Sequence, residues 1–176
     1  MNDTSWLAYG LIAHFSHRLE KQRSLGKTKL QKLVYLLEKL KNVSVGYDFC
    51  FYTYGPFSSD LAADLDYVNT VGGVRIDYEP SINMFEIKPG ENVTRLTEKS
   101  KDFLVQNNSS IEEIVDRFGS KQAKELELLA TLVFVAKSGI LDHDKLVKKV
   151  KELKPRFSFE EIENALEQLK TWEYIE

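Results

Sequence analysis

Hydrophobic positions recur along this chain with a period that changes several times, and each change marks an element. Leu7, Leu11, Ile12, Phe15 and Leu19 share one face at helical spacing, which predicts a helix over residues 5–22. The stretch from Arg23 to Lys27, containing Gly26, interrupts it. Thr28 followed by Gln31 has the form of a capping box, in which hydroxyl and amide each satisfy a free N–H at a helix start. The seam Leu30, Leu33, Val34, Leu37 and Leu40 then predicts a core helix over 29–41. From Val43 to Tyr54 β-branched and aromatic residues take over, a strand signature. Gly55-Pro56 is expected to close that strand, because proline has no N–H for a ladder and disfavours helix in the residue before it.

Ser58 or Ser59 caps a third helix running to about Val71, with Leu61, Leu65 and Val68 inward and Gly72-Gly73 as its stop. Residues 74–78 and 82–87 alternate with period two around Glu79-Pro80-Ser81, which predicts a β-hairpin. Thr97 is expected to open a further helix over 98–106. Helix, helix, strand, helix, hairpin, helix is the skeleton of a winged-helix domain with an extra N-terminal helix. The polar run Asn107-Asn108-Ser109-Ser110 marks the expected boundary between domains at 1–106 and 107–176.

Beyond it every pattern is helical. Ser110 with Glu113 is read as the cap of a helix over 111–118. Leu126, Leu129, Ala130, Val133 and Phe134 predict a core helix over 121–138, and Leu146, Val147, Val150 and Leu153 one over 144–153. Ser158 with Glu161 caps a last helix carrying Ile162, Ala165, Leu166 and Leu169, followed by a β-like tail at Trp172-Glu173-Tyr174-Ile175. The second half thus reads as a winged-helix core without its wing. The fold class is α+β, mostly helical.

Composition narrows the function more than the fold. The 176 residues are 43% hydrophobic and 29% charged, an ordinary globular mixture. No apolar run reaches the roughly 18 residues that would span a bilayer. Met1 to Ser5 lacks the basic and apolar regions of a secretory leader, so a cytoplasmic location is expected and no membrane partner. The single cysteine, Cys50, excludes an internal disulfide framework and a cysteine-based zinc site. Serine-hydrolase, zincin, phosphate-loop and dinucleotide motifs are all absent, so the expectation is a non-catalytic protein without a cofactor. His14 and His17 stand three apart with no third ligand at useful spacing and read as packing or surface residues. His143 suits a cap region, Cys50 a buried inert thiol, and the Glu112-Glu113 and Glu160-Glu161 pairs the positive ends of helices.

The aromatic cluster Phe49, Phe51, Tyr52, Tyr54 and Phe57 is read as core and inter-domain packing, with base stacking as the alternative. Lys27, Lys29 and Lys32, and the lysines from Lys145 to Lys154, are read as solvated helix faces.

Charge placement separates binding to protein from binding to nucleic acid. The formal charge is -3, and neither half of the chain is basic. In a winged-helix DNA reader the helix before the wing needs cations. Here that helix carries Asp60, Asp64 and Asp66 without a lysine or arginine, and the last helix carries Glu160, Glu161, Glu163 and Glu167 against Lys170. Carboxylates there would repel phosphates. DNA contact through Arg75, Lys88 and Arg95, or through Lys148 and Lys149, stays open.

The segment Gly26-Lys27-Thr28-Lys29-Leu30-Gln31-Lys32-Leu33-Val34-Tyr35-Leu36-Leu37, then Tyr47-Asp48-Phe49, then Phe51-Tyr52-Thr53-Tyr54-Gly55-Pro56-Phe57-Ser58, resembles the YwgA family of bacterial and archaeal proteins. More distantly it resembles the Panacea (SocA-like) antitoxin domain, which shares a KLQKL-type helix followed by a strand ending in YGP. Leu96-Thr97-Glu98-Lys99 resembles the helix after the wing in MarR- or PadR-type regulators. The resemblance covers about the first 70 residues well and departs from Panacea domains between Asn42 and Phe49. Panacea-type domains neutralise toxins by direct binding, and SocA-like members deliver a toxin to a protease. The resemblance therefore implies protein–protein recognition. The residues expected to touch a protein partner are Lys29, Lys32, Tyr52, Tyr54, Asp60 and Asp64, with Gly55 and Pro56 structural. The alternative is a winged-helix DNA-binding regulator, with a homodimer through its terminal helices as one arrangement.

Overall fold

The computed structural model of the chain describes residues 3–22, 25–81 and 83–175. Met1 and Asn2, Arg23 and Ser24 of the first interruption, Ile82 of the expected hairpin, and Glu176 lie outside the described residues. Helix α1 (Asp3–Leu19) runs into a 3-10 turn at Glu20–Gln22, and α2 (Lys27–Lys41) follows. A tight hairpin, β1 (Cys50–Tyr52) and β2 (Gly55–Phe57), leads to α3 (Ser59–Thr70). A second hairpin, β3 (Val74–Glu79) and β4 (Met84–Pro89), precedes α4 (Val93–Lys99) and α5 (Lys101–Gln106). The remainder is α6 (Asn108–Phe118), α7 (Ala123–Lys137), α8 (His143–Leu153) and α9 (Phe159–Thr171). The protein is α+β and mostly helical, and no helix among the described residues is long and apolar enough to cross a membrane.

One continuous core joins these elements. Helix α2 lies at its centre, packed against α6 and α7 and against β2. Every residue from Lys29 to Leu37 is buried, so no face of α2 in that stretch meets water. Helix α1 packs on α3 and on α4, where Gly10 lets the backbones close: a Cβ there would stand 2.1 Å from Ser100 Oγ. Helices α7, α8 and α9 pack on one another through Leu126, Leu129, Val150, Leu166 and other apolar side chains.

Several local expectations change. The strand expected from Val43 to Tyr54 shrinks to Cys50–Tyr52. Residues 43–49 keep the alternation, with Val43, Val45 and Tyr47 buried, yet pair with no strand. Their N–H groups find another acceptor: Val45, Gly46 and Tyr47 donate to Glu38 Oε1 at 2.9, 3.1 and 3.3 Å. Gly55-Pro56 does not end a strand but begins β2, with Gly55 in the left-handed region at φ +86° directly after the Thr53-Tyr54 loop. The capping box at Thr28 is not formed. Helix α2 starts from Gly26, and the Gln31 amide is committed elsewhere.

The hairpin β3–β4 forms as expected, and its outer edge receives one further bond, Ile87 N–H to Leu25 O at 2.7 Å. The segment just before α2, rather than the aromatic segment, thus sits beside the wing-like hairpin. Helix α4 begins at Val93 instead of after Thr97, whose hydroxyl donates back to Val93 O at 3.1 Å. The polar run at Asn107–Ser110 is largely helical, since α6 starts at Asn108, and Ser110 does not cap it. Glu112 and Glu113 tie helices together rather than serving the α6 dipole. Arg18 Nε of α1 donates to Glu112 at 2.8 Å, while Glu113 accepts from Lys41 of α2 and from the Tyr174 hydroxyl at 2.7 Å. The Arg18 hydrogen bond holds the Glu112 carboxyl below its ordinary range. The Ser158–Glu161 capping box is present on α9. Trp172–Ile175 is a helix-terminating turn, not a strand: Glu173 takes a left-handed φ of 60°, and Tyr174 N–H reaches Leu169 O at 2.9 Å.

Candidate functional site

The KLQKL and YGPFS motifs meet in space, and the polar residues of the first hold the backbone of the second. Gln31 makes two bonds to one residue: its Nε2 donates to Ser58 O at 2.8 Å, and its Oε1 accepts from Ser58 N–H at 2.9 Å. Lys32 Nζ donates to Pro56 O at 2.7 Å. From the other side Lys154, at the end of α8, donates to Thr53 O and pairs with Glu127 of α7 at 3.0 Å. Arg156 closes on the same carboxylate. The hairpin turn is therefore gripped by two ammonium groups through its own carbonyls. Gly55 completes the fit: a Cβ would meet Thr131 Oγ1 at 3.1 Å, on a backbone already in the left-handed region.

This overturns the reading of these lysines as solvated. Lys29 and Lys32 are each 2% exposed and Lys154 4%. On α2, Lys29 shares a face with Leu33 and Leu36, and Lys32 with Leu36, so both lie inside the apolar surface rather than opposite it. Burial of the charged ammonium brings each of Lys29 and Lys32 down to about 8, opposed by Glu125 for the first and Glu127 for the second. A buried charge needs a partner, and Glu127, 3% exposed, supplies it at the centre of the lysine cluster. Glu127 and Lys154 carry this arrangement and were not among the expected site residues. Their signal was the carboxylate of Glu127 between Leu126 and Leu128, beyond the first turn of a helix that from there on is apolar on nearly all sides.

What the grip presents outward is aromatic. Tyr52 and Tyr54 are 63% and 55% exposed, and Cys50 beside them is exposed too, contrary to the packing expected of all three. The physical reason is that a two-stranded hairpin has only one face to bury. Phe51 turns inward, its ring tilted against Phe134 at 5.3 Å with Lys154 over it, which leaves Cys50 and Tyr52 outward. Tyr52 leans on Phe57 at 5.8 Å.

Between this hairpin, α2 and α3 lies a cavity of about 210 Å³ with Leu30, Phe57, Leu61 and Leu65 among its lining residues. Tyr52 and Tyr54 stand at one side and a Lys27–Asp66 ion pair, 3.5 Å, at another. That volume is below the roughly 300–1,000 Å³ of small-molecule sites and suits one large apolar side chain. A second, wider groove of about 760 Å³ adjoins it, sharing Lys27 and Thr28 and bounded by Met84 and Phe85 of β4 and by the start of α7. Phe85 is 57% exposed and packs edge-on against Tyr78 at 5.4 Å, so the second hairpin also offers an aromatic pair to solvent.

Of the residues expected to touch a protein, the structure brings Tyr52, Tyr54 and Lys32 to the smaller cavity and Lys29 to the wider groove. Asp60 and Asp64 are not among the residues lining either groove. Asp64 accepts from the Tyr47 hydroxyl at 2.8 Å, and its burial raises its pKa. Asp66, on the same helix, takes the place at the rim. The cations expected for DNA are distributed. Arg75 and Lys88 face each other in the β3–β4 register, but Arg75 pairs with Asp77 at 2.6 Å and Lys88 with Glu86 at 3.2 Å. Arg95 is exposed on α4, and Lys148 and Lys149 on α8. His14 lies 3.8 Å from Glu112, and burial lowers its pKa; His143 pairs with Glu163 at 2.8 Å. Among the described residues no group of three His, Cys, Asp or Glu side chains could hold a metal ion. Comparison of the chain with protein-family models and with curated protein sequences gives no match.

Proposed function

We propose that this chain is a non-catalytic, cytoplasmic protein-interaction module of antitoxin-like or regulatory type, and that the β1–β2 hairpin is its recognition element. The observation that carries this reading is the combination of a rigid base and an exposed tip. Three buried side chains, Gln31, Lys32 and Lys154, hold the backbone of one short hairpin and of Ser58 directly after it, while Tyr52 and Tyr54 project into solvent beside an apolar cavity. Tyrosines pre-ordered in this way lose little conformational freedom on binding and are characteristic anchors of protein interfaces. The resemblance of the α2 and YGP segments to YwgA-like and Panacea-type sequences supports the same reading. Affinity purification of the tagged chain from its native cells, followed by mass spectrometry, tests it. A stoichiometric protein partner is the expected result, and repeated recovery of the chain alone refutes it.

A second reading, a winged-helix DNA-binding regulator, is favoured by Arg75 and Lys88 standing opposite one another on the wing-like hairpin. Mobility shift of duplex DNA at low salt decides it, because phosphate binding would fall steeply as salt rises.

A further inference from the structure

The two grooves described above share Lys27 and Thr28 and together run from the tyrosines of the first hairpin, over the first turn of α2, to Phe85 on the second. Their charge is uneven. The lining carries Lys27, Lys29, Lys32 and Lys121 against one carboxylate, Asp66, in the smaller cavity; Lys29 and Lys32 are buried, with Lys32 bonded to Pro56 O, so the positive charge at the surface is that of Lys27 and the half-buried Lys121. The wider groove presents Lys27 and Lys121 above the buried Lys29, with no carboxylate in its lining, in a chain whose formal charge is -3. The groove's lysines have acidic neighbours, Asp66 at 3.5 Å for Lys27 and Glu125 at 3.7 Å for Lys121, and the Glu125 charge also acts on Lys29. The first pair is exposed on both sides and the second has its carboxylate half-exposed, so each holds weakly and can be exchanged for a carboxylate from outside.

We infer that this composite channel binds an extended acidic peptide of a protein partner, with one large apolar side chain in the cavity beside Tyr52 and Tyr54 and a run of carboxylates along the lysine-lined groove toward Phe85. The inference rests on the protein-interaction reading above and names the chemistry of the partner. Charge complementarity selects the acidic segment, and the cavity volume selects the single apolar anchor. Nucleic acid fits less well. A phosphodiester chain carries a charge at every unit, so a strand stacked on the tyrosines would also lay phosphates against Asp66 and the acidic face of α3. A peptide can keep its charges to one end.

Panning a phage-displayed library of random peptides on the full chain tests the inference, with an oligothymidine strand as competitor. Enriched peptides should pair a leucine, phenylalanine or tryptophan with adjacent aspartates or glutamates, and their binding should weaken as salt rises. Three exposed positions, none of them needed for the core, report on the channel: Lys27→Glu, Tyr54→Ala and Phe85→Ala should each lower affinity by about tenfold or more. Enrichment of basic peptides, no enrichment, displacement by oligothymidine, or equal binding by all three variants overturns the inference. Selected peptides indifferent to the variants would sink this channel while leaving a protein partner elsewhere on the surface. Absence of any partner in the native purification would instead sink the interaction reading itself.

Discussion

Replacing Lys32 by methionine separates the cost of burying its charge from the packing of its stem. In the folded chain the ammonium is 2% exposed and its pKa lies at about 8, against an ordinary 10.5, with desolvation the main cause and Glu127 opposing it. The unfolded chain therefore binds the Lys32 proton more tightly than the native one. Below pH 8 both states are charged and the full penalty stands; between pH 8 and 10.5 the native state has lost a proton that the unfolded state keeps, so stability rises with pH. A tenfold difference in proton affinity between the two states is worth about 1.4 kcal/mol, so the rise attributable to Lys32 is on the order of 3 kcal/mol. Methionine fills similar space without a proton to lose. Urea unfolding of both proteins from pH 7 to pH 10 should show a stability curve that climbs for the wild type and climbs less for Lys32→Met. Lys29, whose pKa is lowered in the same way, adds to the remaining slope, and Tyr35, Tyr47 and Tyr174, whose pKa values burial raises, work against it near pH 10. Parallel curves would refute the placement of Lys32 as a buried cation on the Pro56 carbonyl.

Other positions give sharper local tests. Gln31→Leu strands the N–H of buried Ser58, whose C=O keeps its bond from Ala62 N–H at 3.2 Å, and should cost on the order of 2 kcal/mol in urea unfolding, with the hairpin losing amide-exchange protection first. Gly10→Ala drives a methyl into Ser100 and should destabilise by about 1–3 kcal/mol, with Ser100→Gly restoring much of the loss. Glu173→Gly relieves a left-handed backbone at the end of α9 and should raise stability by roughly 1 kcal/mol, measured as a higher melting temperature.

The helices and the β3–β4 hairpin were legible because their information is local. Apolar spacing on α1, α7, α8 and α9, the alternation around Pro80, and the Ser158–Glu161 cap each lie within a few residues of what they determine. The grip on the first hairpin was not, because its partners are remote. Lys32 and Pro56 are 24 positions apart, and Lys154 and Thr53 are 101 apart. A carbonyl acceptor is also the same for every residue type, so nothing in Thr53 or Pro56 announces that it will receive a lysine. The burial of Lys29 could have been read from its spacing to Leu33 and Leu36. The segment at 43–49 misled for a related reason: alternation records which side chains are buried, whereas a strand also needs a backbone partner, and Glu38 takes that part here. At the candidate site, Tyr52 and Tyr54 were found from composition. Their exposure became visible only when Phe51 was seen to take the single inward position of a two-stranded ribbon.

The hairpin as recognition element is the core of the account, and the affinity of the co-purified partner for the wild-type chain and for Tyr52→Ala/Tyr54→Ala tests it most directly. Both tyrosines are exposed, so the double variant should unfold at an unchanged urea concentration. Loss of two aromatic anchors should weaken binding by at least about tenfold, or roughly 1.4 kcal/mol. Equal affinity for the two proteins would contradict it.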